Sequence, residues 1–258
     1  MSSPAPSGGR LSGCQAVVTG ASSGIGRAMA IAFAREGADV LLGYKSNAAG
    51  AEQTAEAIRA AGRRATLLAA DLSKADDVGR LVSQAFESLG RIDVWVNNAG
   101  ADILTGAGAA RTDAEKLDAA LGIDLRGTIL CCWQVAPRLK AQGQGVILNL
   151  SWDHVLTGAP GRPAEIYAAA KGGVLAFSKS LARSVAPEVR VNVLAPGWIA
   201  TAFAEGLPGR SRERIADATP LARWGTPEDV ARAAVFLACE DSRFLTGATL
   251  LVNGGTVM

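Results

Sequence analysis

The chain has 258 residues, of which 49% are hydrophobic and 19% are charged, a composition typical of a globular protein and not of a disordered one. Its 26 lysines and arginines nearly balance its 24 aspartates and glutamates, which leaves no strong field to attract nucleic acid or an anionic membrane. The single histidine excludes a histidine-rich metal site, and we predict no metal centre. The cysteines lack metal-binding spacing and predict buried, reduced thiols.

The first ten residues, Met1 to Arg10, are rich in serine, proline and glycine and lack the apolar stretch of a signal peptide. We expect them to form a flexible tail before a single domain at residues 11–258. No segment reaches the ~18 unbroken apolar residues of a membrane helix, and we therefore expect a cytoplasmic protein.

After the tail, short apolar runs typical of strands alternate with longer runs of helical period. The predicted strands are 16–19, 38–43, 65–69, 93–96, 145–150, 190–194 and 249–252. The predicted helices are 26–36, 48–61, 75–89, 166–186 and 227–239, and 112–140 is mostly helical. This alternation predicts an α/β fold, a Rossmann-like, doubly wound parallel sheet in a single domain. The least regular stretch, 201–226, is predicted to be a mobile loop beside the substrate.

The turn between the first strand and the first helix, Thr19 to Gly26, carries three glycines. Glycines let the backbone turn tightly and approach a pyrophosphate, and the helix N-terminus offers unpaired N–H groups and a positive dipole end. The turn therefore predicts a dinucleotide site. Its residues are Gly20, Ser22, Ser23, Gly24, Ile25 and Gly26.

The end of the second strand distinguishes NAD from NADP, because an acidic residue there binds the ribose 2′-hydroxyl and a basic one the 2′-phosphate. Residues 42–47 contain one lysine and no carboxylate, which predicts NADP(H) with Lys45 on the phosphate; the alternative is a solvated surface lysine. Asp71 either accepts a hydrogen bond from the adenine amino group or lies at a helix N-terminus near Ser73. The residues predicted to contact the adenosine part of the cofactor are Tyr44, Lys45, Ser46, Asp71 and Leu72.

Tyr167 and Lys171 are four positions apart at the start of a predicted helix, so they lie on one face about a turn apart. The ordinary pKa of a phenol, ~10, is too high for easy proton exchange at neutral pH, and a nearby ammonium stabilises the phenolate. Such a tyrosine can act as a general acid in reduction or as a general base in oxidation.

These motifs occur together and in order, with Asn97-Asn98-Ala99-Gly100 after the fourth strand and Pro196-Gly197 after the sixth. With them, residues 11 to 255 resemble the short-chain dehydrogenases/reductases, particularly the branch of 3-oxoacyl-carrier-protein reductases. The resemblance implies a nicotinamide cofactor, a small-molecule substrate and a homotetramer or homodimer. It implies cofactor contacts from Asn98, Ala99, Gly100, Tyr167, Lys171, Pro196, Gly197, Ile199 and Thr201.

The sequence departs from the family pattern after the fifth strand. Trp152 stands where the family has a serine that donates a hydrogen bond to the reacting carbonyl. The candidate replacements are Ser151, which strand alternation would turn away, Asp153 if burial keeps it protonated, and His154. Alternatively, Asp153 and His154 are ordinary loop residues. Pteridine reductases, distant relatives, use an aspartate near this position, which adds C=N reduction as a hypothesis.

A second departure is Asp124, which replaces a helix asparagine that helps to hold a water near the active-site lysine. Asp124 either keeps this relay or perturbs the titration of the Tyr167–Lys171 pair. The sequence thus predicts an NADPH-dependent reductase of a C=O or C=N group, with Tyr167 as proton donor. The alternative is an NADP(H)-binding protein with a non-redox role, as a cyclase, sensor or scaffold.

We expect the substrate pocket to form from 102–104, 152–164, Trp198 and 203–224. Arg210, Arg212 and Arg214 either meet an anionic substrate or form the solvated face of a short helix.

Overall fold

The computed structural model describes residues 9–207 and 209–258. Within these residues, seven strands form one parallel sheet in the order β3-β2-β1-β4-β5-β6-β7. The strands are β1 Gln15–Thr19, β2 Asp39–Tyr44, β3 Ala65–Ala69, β4 Val94–Asn97, β5 Gly145–Leu150, β6 Val189–Pro196 and β7 Thr249–Val252. The predicted doubly wound parallel sheet is confirmed.

The helices connect and cover these strands. They are α1 Gly24–Arg35, α2 Ala48–Ala60, α3 Ala75–Leu89, α4 Gly106–Ala109, α5 Asp113–Ala119, α6 Thr128–Gln142, α7 Arg162–Val185, α8 Ala202–Glu205, α9 Gly209–Ala218 and α10 Pro227–Ala238. In the part of the chain that the structure describes, no helix combines the length and the apolar content needed to cross a membrane.

The strands are apolar on both faces because helices pack on both sides of the sheet. In β1, Val18 belongs to the core cluster that contains Phe33 of α1 and Val235 of α10. Its neighbour Val17 points the other way and packs in the cluster that contains Val135 of α6. This alternation along a strand produces two cores, one on each face of the sheet.

Three predictions about the chain need correction. Arg10 is not part of a flexible tail, because its backbone N–H and its guanidinium bond the Glu36 carboxylate at 2.9 and 2.7 Å; residues 1–8 of that tail lie outside the described residues. The helical region 112–140 is interrupted by a π-helical segment, Ala120–Gly127. The stretch 201–226 contains two short helices, α8 and α9. The first is a single turn, too short to show a helical period, and the second is a polar sequence with too weak an apolar period to predict it.

The strand order places the site. The connection direction reverses between β1 and β4, the two strands that pair at the centre of the sheet. At such a switch point the loops that follow the carboxyl ends of the strands diverge and leave a crevice, the usual ligand site of a doubly wound sheet.

Candidate active site

Thr19, the last residue of β1, joins the two loops that border the crevice. Its hydroxyl donates to the Val96 carbonyl at 3.2 Å and accepts from the backbone N–H groups of Asn98 and Ala99 at 3.0 and 3.1 Å. In return, the Asn98 side-chain amide donates to the carbonyls of Thr19 and Gly20 at 2.9 and 3.2 Å. The sequence analysis begins the turn at Thr19 but does not predict that the Thr19 hydroxyl joins the two loops, because no local pattern signals a contact with residues about 80 positions away.

The backbone of this turn leaves no room for a side chain at Gly20 or Gly26. Gly20 has a φ of +65°, and a Cβ there would lie 2.8 Å from the Ala99 Cα. A Cβ on Gly26 would collide with the Gly20 carbonyl oxygen. Ser23 occupies the N-cap position of α1, and its side chain makes no capping hydrogen bond. The first-turn N–H groups of α1 are thus left for a ligand, and the turn fits the pyrophosphate of a dinucleotide.

Most of the predicted cofactor residues surround one cleft of about 240 Å³. Those predicted from sequence are Gly20, Ser22, Ser23, Tyr44, Lys45, Ser46, Asp71, Leu72, Asn98, Ala99 and Gly100. Those that the sequence did not indicate are Thr19, Gly43, Asn47, Ala70, Leu81 and Ile123. Ile25 instead packs against the hydrophobic core.

Lys45 is held at the rim of this cleft. Its ammonium lies 2.8 Å from an oxygen of Asp71, and its side chain is 58% exposed. Asp71 also accepts hydrogen bonds from the backbone N–H and the hydroxyl of Ser73 at 3.1 and 2.7 Å. Partial burial opposes the ionisation of Asp71, but the bonds from Lys45 and Ser73 outweigh it and lower the pKa of that carboxyl. Lys45 is therefore an anchored cation and not a freely solvated one. Asp71 contacts Ser73, as expected if Asp71 lies at a helix N-terminus.

The segment after β6 crosses the edge of the sheet towards α1. The Gly197 N–H donates to the Val252 carbonyl at 3.1 Å, and Ile199 forms an isolated β-bridge with Gly225. Further on, the Thr201 methyl group lies 3.5 Å from the position that a Cβ on Gly24 would take. The segment predicted to contact the nicotinamide therefore reaches the glycine turn at the N-terminus of α1 through Thr201.

Tyr167, Lys171 and Asp124 form a compact cluster, in which Lys171 and Asp124 are buried and Tyr167 is half-buried. The Lys171 ammonium lies 2.9 Å from Asp124 Oδ1 and 5.5 Å from the centroid of the Tyr167 ring. It also donates to the Leu150 carbonyl at 3.1 Å. Asp124, in the π-helical segment, is 0% exposed, and its Oδ2 accepts from the Ala101 N–H at 2.8 Å. The structure thus adds a buried carboxylate to the Tyr–Lys pair predicted from sequence.

This carboxylate changes the proton affinities of the cluster. Burial disfavours the ammonium form of Lys171, but the neighbouring Asp124 and Tyr167 outweigh it and raise the pKa of Lys171 above its ordinary value. Burial also raises the pKa of Tyr167; Lys171 opposes this rise and Asp124 adds to it. Lys171 is therefore charged and Tyr167 protonated at neutral pH. This favours the interpretation in which Asp124 perturbs the pair.

Ser151 does not face a substrate. Its hydroxyl donates to the backbone carbonyl of Lys171 at 2.8 Å, and its N–H bonds the Leu194 carbonyl at 2.8 Å. The side chain is buried between β5 and α7 because strand alternation turns it away from the cleft. This contact argues against the hypothesis that Ser151 replaces the family's serine.

Asp153 is a buried acceptor and not an ordinary loop residue. It begins a short 3₁₀ helix, Asp153–Val155, and is 0% exposed. Its Oδ1 accepts from the backbone N–H of His154 at 2.8 Å and lies 2.7 Å from His154 Nδ1, while Oδ2 accepts from the Asn253 amide at 3.1 Å. These contacts place Asp153 between His154 and Asn253. The geometry favours a role for Asp153 in orienting His154, and proton donation by Asp153 stays a hypothesis.

Trp152 begins a row of aromatic contacts. Its ring stacks on His154 at 4.9 Å between centroids and meets the Tyr167 ring edge-on at 5.4 Å. His154 contacts Trp198 at 5.9 Å, and Trp198 contacts Trp224 at 5.8 Å, both edge-on. Four of the predicted pocket residues, Trp152, His154, Trp198 and Trp224, are thus brought together. Pro208 and the side chain of Phe203 lie outside the described part of the chain.

The three arginines of α9 adjoin these rings through the backbone, where the Arg212 carbonyl accepts a hydrogen bond from the Trp224 indole N–H at 3.0 Å. Arg210, Arg212 and Arg214 are exposed, and no residue of α9 is buried. Their exposure favours the interpretation that they form the solvated face of a short helix over the one in which they meet an anionic substrate.

Residues 20–257 match a family model described as Enoyl-(Acyl carrier protein) reductase. The 3-oxoacyl-[acyl-carrier-protein] reductase FabG of Staphylococcus aureus is 36% identical over 245 residues, 94% of this chain and 98% of that protein. Its counterpart from Thermotoga maritima is 36% identical over 252 residues, 96% of this chain and 100% of that protein. The structure of a short-chain type dehydrogenase/reductase from Mycobacterium marinum superposes with a TM-score of 0.86 at 28% identity, covering 95% of this chain and 96% of that one.

Proposed function

The chain belongs to the short-chain dehydrogenase/reductase family of oxidoreductases, and on that premise we propose that it reduces a C=O or C=N group of a small molecule with NADPH. The observation that carries the proposal is the cluster of Asp124, Lys171 and Tyr167. Asp124 Oδ1 lies 2.8 Å from the position that a Cβ on Gly100 would take, and Gly100 lines the cleft whose backbone fits a dinucleotide.

The nicotinamide cofactor supplies the hydride when it is bound. The residues that would hold it are the glycine turn after β1, Asn98 to Gly100 after β4, and Pro196 to Thr201 after β6. Tyr167 holds the proton that the substrate oxygen or nitrogen receives. Lys171 stabilises the phenolate that remains, because a buried cation interacts strongly with a neighbouring anion.

Asp124 supports reduction in preference to oxidation. Its negative charge partly offsets the effect of Lys171 on the phenol, and the pKa of Tyr167 is raised. A protonated tyrosine acts as a general acid, which is the role required when a carbonyl or imine accepts hydride.

The preference for NADP(H) rests on Lys45. No carboxylate lies in residues 42–47 to bind the 2′-hydroxyl of NAD, and the Asp71 ion pair keeps the Lys45 ammonium at the rim of the cleft. More than half of the Lys45 side chain is exposed, which leaves the ammonium accessible to a 2′-phosphate.

A non-redox role as a cyclase, sensor or scaffold is the second candidate, and Trp152 favours it because an indole replaces the hydroxyl that the family aims at the carbonyl. The retained Tyr167 and Lys171 support the reductase.

A homotetramer or homodimer stays a prediction. Trp133 on α6 and Phe244 are 62% and 100% exposed and offer apolar surface for contacts between copies of the chain. Sedimentation velocity tests this prediction.

The proposal is tested by following NADPH oxidation with panels of ketones and cyclic imines, with NADH as the cofactor control. We expect turnover with NADPH that falls roughly 10²–10⁴-fold in Tyr167→Phe, because the general acid is lost. The dissociation constant for NADPH should change little in that variant. If the wild-type protein binds NADPH and reduces no member of either panel, the non-redox candidate replaces the reductase.

A further inference from the structure

The side chains of Trp152, His154, Trp198 and Trp224, here called the aromatic wall, make consecutive ring contacts that start at Tyr167. We propose that the aromatic wall is the substrate subsite and that it selects a flat, conjugated ring carrying the reducible C=O or C=N group. This substrate class rests on the proposed reductase function and specifies it.

The aromatic wall is assembled from three separate segments. Trp152 and His154 follow β5, Trp198 follows β6, and Trp224 lies before α10. Rings that pack a helix against its neighbour come from one periodic stripe, whereas these meet only because the sheet brings the three segments together. They meet at the carboxyl edge of the sheet, where ligand sites of doubly wound folds lie.

Hydrogen bonds fix the orientation of the rings. The buried Asp153 carboxylate holds His154 Nδ1 at 2.7 Å and is itself held by Asn253. At the other end, the Trp224 indole N–H donates to the Arg212 carbonyl at 3.0 Å. Because Nδ1 is committed to Asp153, Nε2 is the nitrogen of His154 that can bond a polar atom on a ligand ring. The aromatic wall thus combines fixed rings with one oriented polar atom.

The exposed fraction of the side chains rises along the aromatic wall from Trp152 outwards, as expected for a binding surface. Trp152, nearest to Tyr167, is only 9% exposed, whereas His154, Trp198 and Trp224 are half-buried. A packing cluster would be buried throughout. The gradient matches a subsite that is closed at the reacting end and open towards solvent.

Ring faces and edges discriminate between classes of carbonyl compound. Aromatic pairs gain energy beyond their area of contact through offset-stacked or edge-on geometry. A saturated ring or an extended acyl chain has no π-system and gains only contact area. Two ketones with one carbon skeleton therefore separate the two cases. They are 1-tetralone, with a fused aromatic ring, and 1-decalone, its saturated and puckered counterpart.

The test is calorimetric titration of each ketone into the protein, with and without NADP⁺, which measures binding without turnover. We expect 1-tetralone to bind roughly three- to tenfold more tightly than 1-decalone. In Trp198→Leu the two dissociation constants should become nearly equal, and Trp198→Phe should restore the preference. The ratio within one variant controls for general effects of the substitution, and the wild-type ratio needs no variant to fold.

Equal affinities in the wild-type protein, or a preference unchanged in Trp198→Leu, would overturn the aromatic wall as a substrate subsite. Turnover of acyclic ketones in the same preparation would then still support the reductase. Conversely, selective binding of 1-tetralone by a protein that reduces no ketone or imine would uphold the subsite and reject the reductase.

Discussion

The two ends of the cleft are built from different parts of the chain. The nucleotide end, at β1 and β4, is made largely by backbone: the glycine turn, the N-terminus of α1 and the loop that Thr19 and Asn98 hold against it. The substrate end, at β5 to β7, is made by side chains, with Trp152, Asp153 and His154 where the family resemblance leads one to expect a serine. The residues of the first end match the resemblance, and at the second end those that follow β5 depart from it.

The difference has a physical origin. A pyrophosphate is bound by N–H groups and close backbone approach, which only a narrow set of residues permits. A substrate is recognised by the shape and polarity of side chains, which can change without rebuilding the sheet. The Tyr167–Lys171 pair lies between the two ends. It keeps its residue types but acquires a buried carboxylate partner, Asp124.

The largest effect is expected at the nucleotide end, from Gly20→Ala. The added Cβ would lie 2.8 Å from the Ala99 Cα, which displaces the turn, and we expect NADPH affinity to fall roughly 100-fold. Gly62→Ala is the matched control: Gly62 has a φ of +75° and open space around it. The positive φ should cost each variant about 1 kcal/mol of unfolding free energy, and Gly20→Ala should lose more because its Cβ also meets the Ala99 backbone. Fluorescence titration measures the affinity, and equal NADPH binding in both variants would show that backbone approach does not form the site.

A smaller effect is expected from Lys45→Ala. Removal of one half-exposed cation should weaken NADPH binding by roughly tenfold and leave NADH binding nearly unchanged, because only NADPH carries the 2′-phosphate. Lys179→Ala, an exposed lysine on α7, serves as control. An equal loss for both cofactors would mean that Lys45 acts through the fold and not through the phosphate.

The smallest effect on catalysis is expected from Ser151→Ala. The hydroxyl bonds the Lys171 carbonyl and not a substrate, so its loss should lower the unfolding free energy by about 1 kcal/mol. Its effect on kcat/KM should be small. Thermal unfolding and steady-state rates measure the two quantities. A fall in kcat of roughly 100-fold with stability unchanged would identify Ser151 as the missing carbonyl donor after all.

The sequence predicted the parallel sheet because each buried strand is a short apolar run between helical periods. It missed four residues at the start of α7, which begins at Arg162, because the proline and glycine there resemble a loop. The π-helical segment around Asp124 was beyond prediction, since one wide turn hardly alters the apolar period. The contact between Asn253 and Asp153 joins residues 100 positions apart, and no local pattern signals such a pair.

The central claim is that Tyr167 supplies the proton with the help of Lys171 and the buried Asp124, and that no serine donates a hydrogen bond to the reacting carbonyl. The most direct test is the pH dependence of kcat/KM for ketone reduction in the wild-type protein and in Asp124→Asn. Asp118→Asn, an exposed carboxylate on α5, is the matched control. Circular dichroism verifies that each variant is folded.

Reduction requires protonated Tyr167, so the rate falls as pH rises through the pKa of that phenol. Asp124 raises this pKa. Its neutralisation should therefore move the alkaline limb of the profile to lower pH, while Asp118→Asn leaves it in place. An alkaline limb that stays fixed in Asp124→Asn, or that moves to higher pH, would contradict the account.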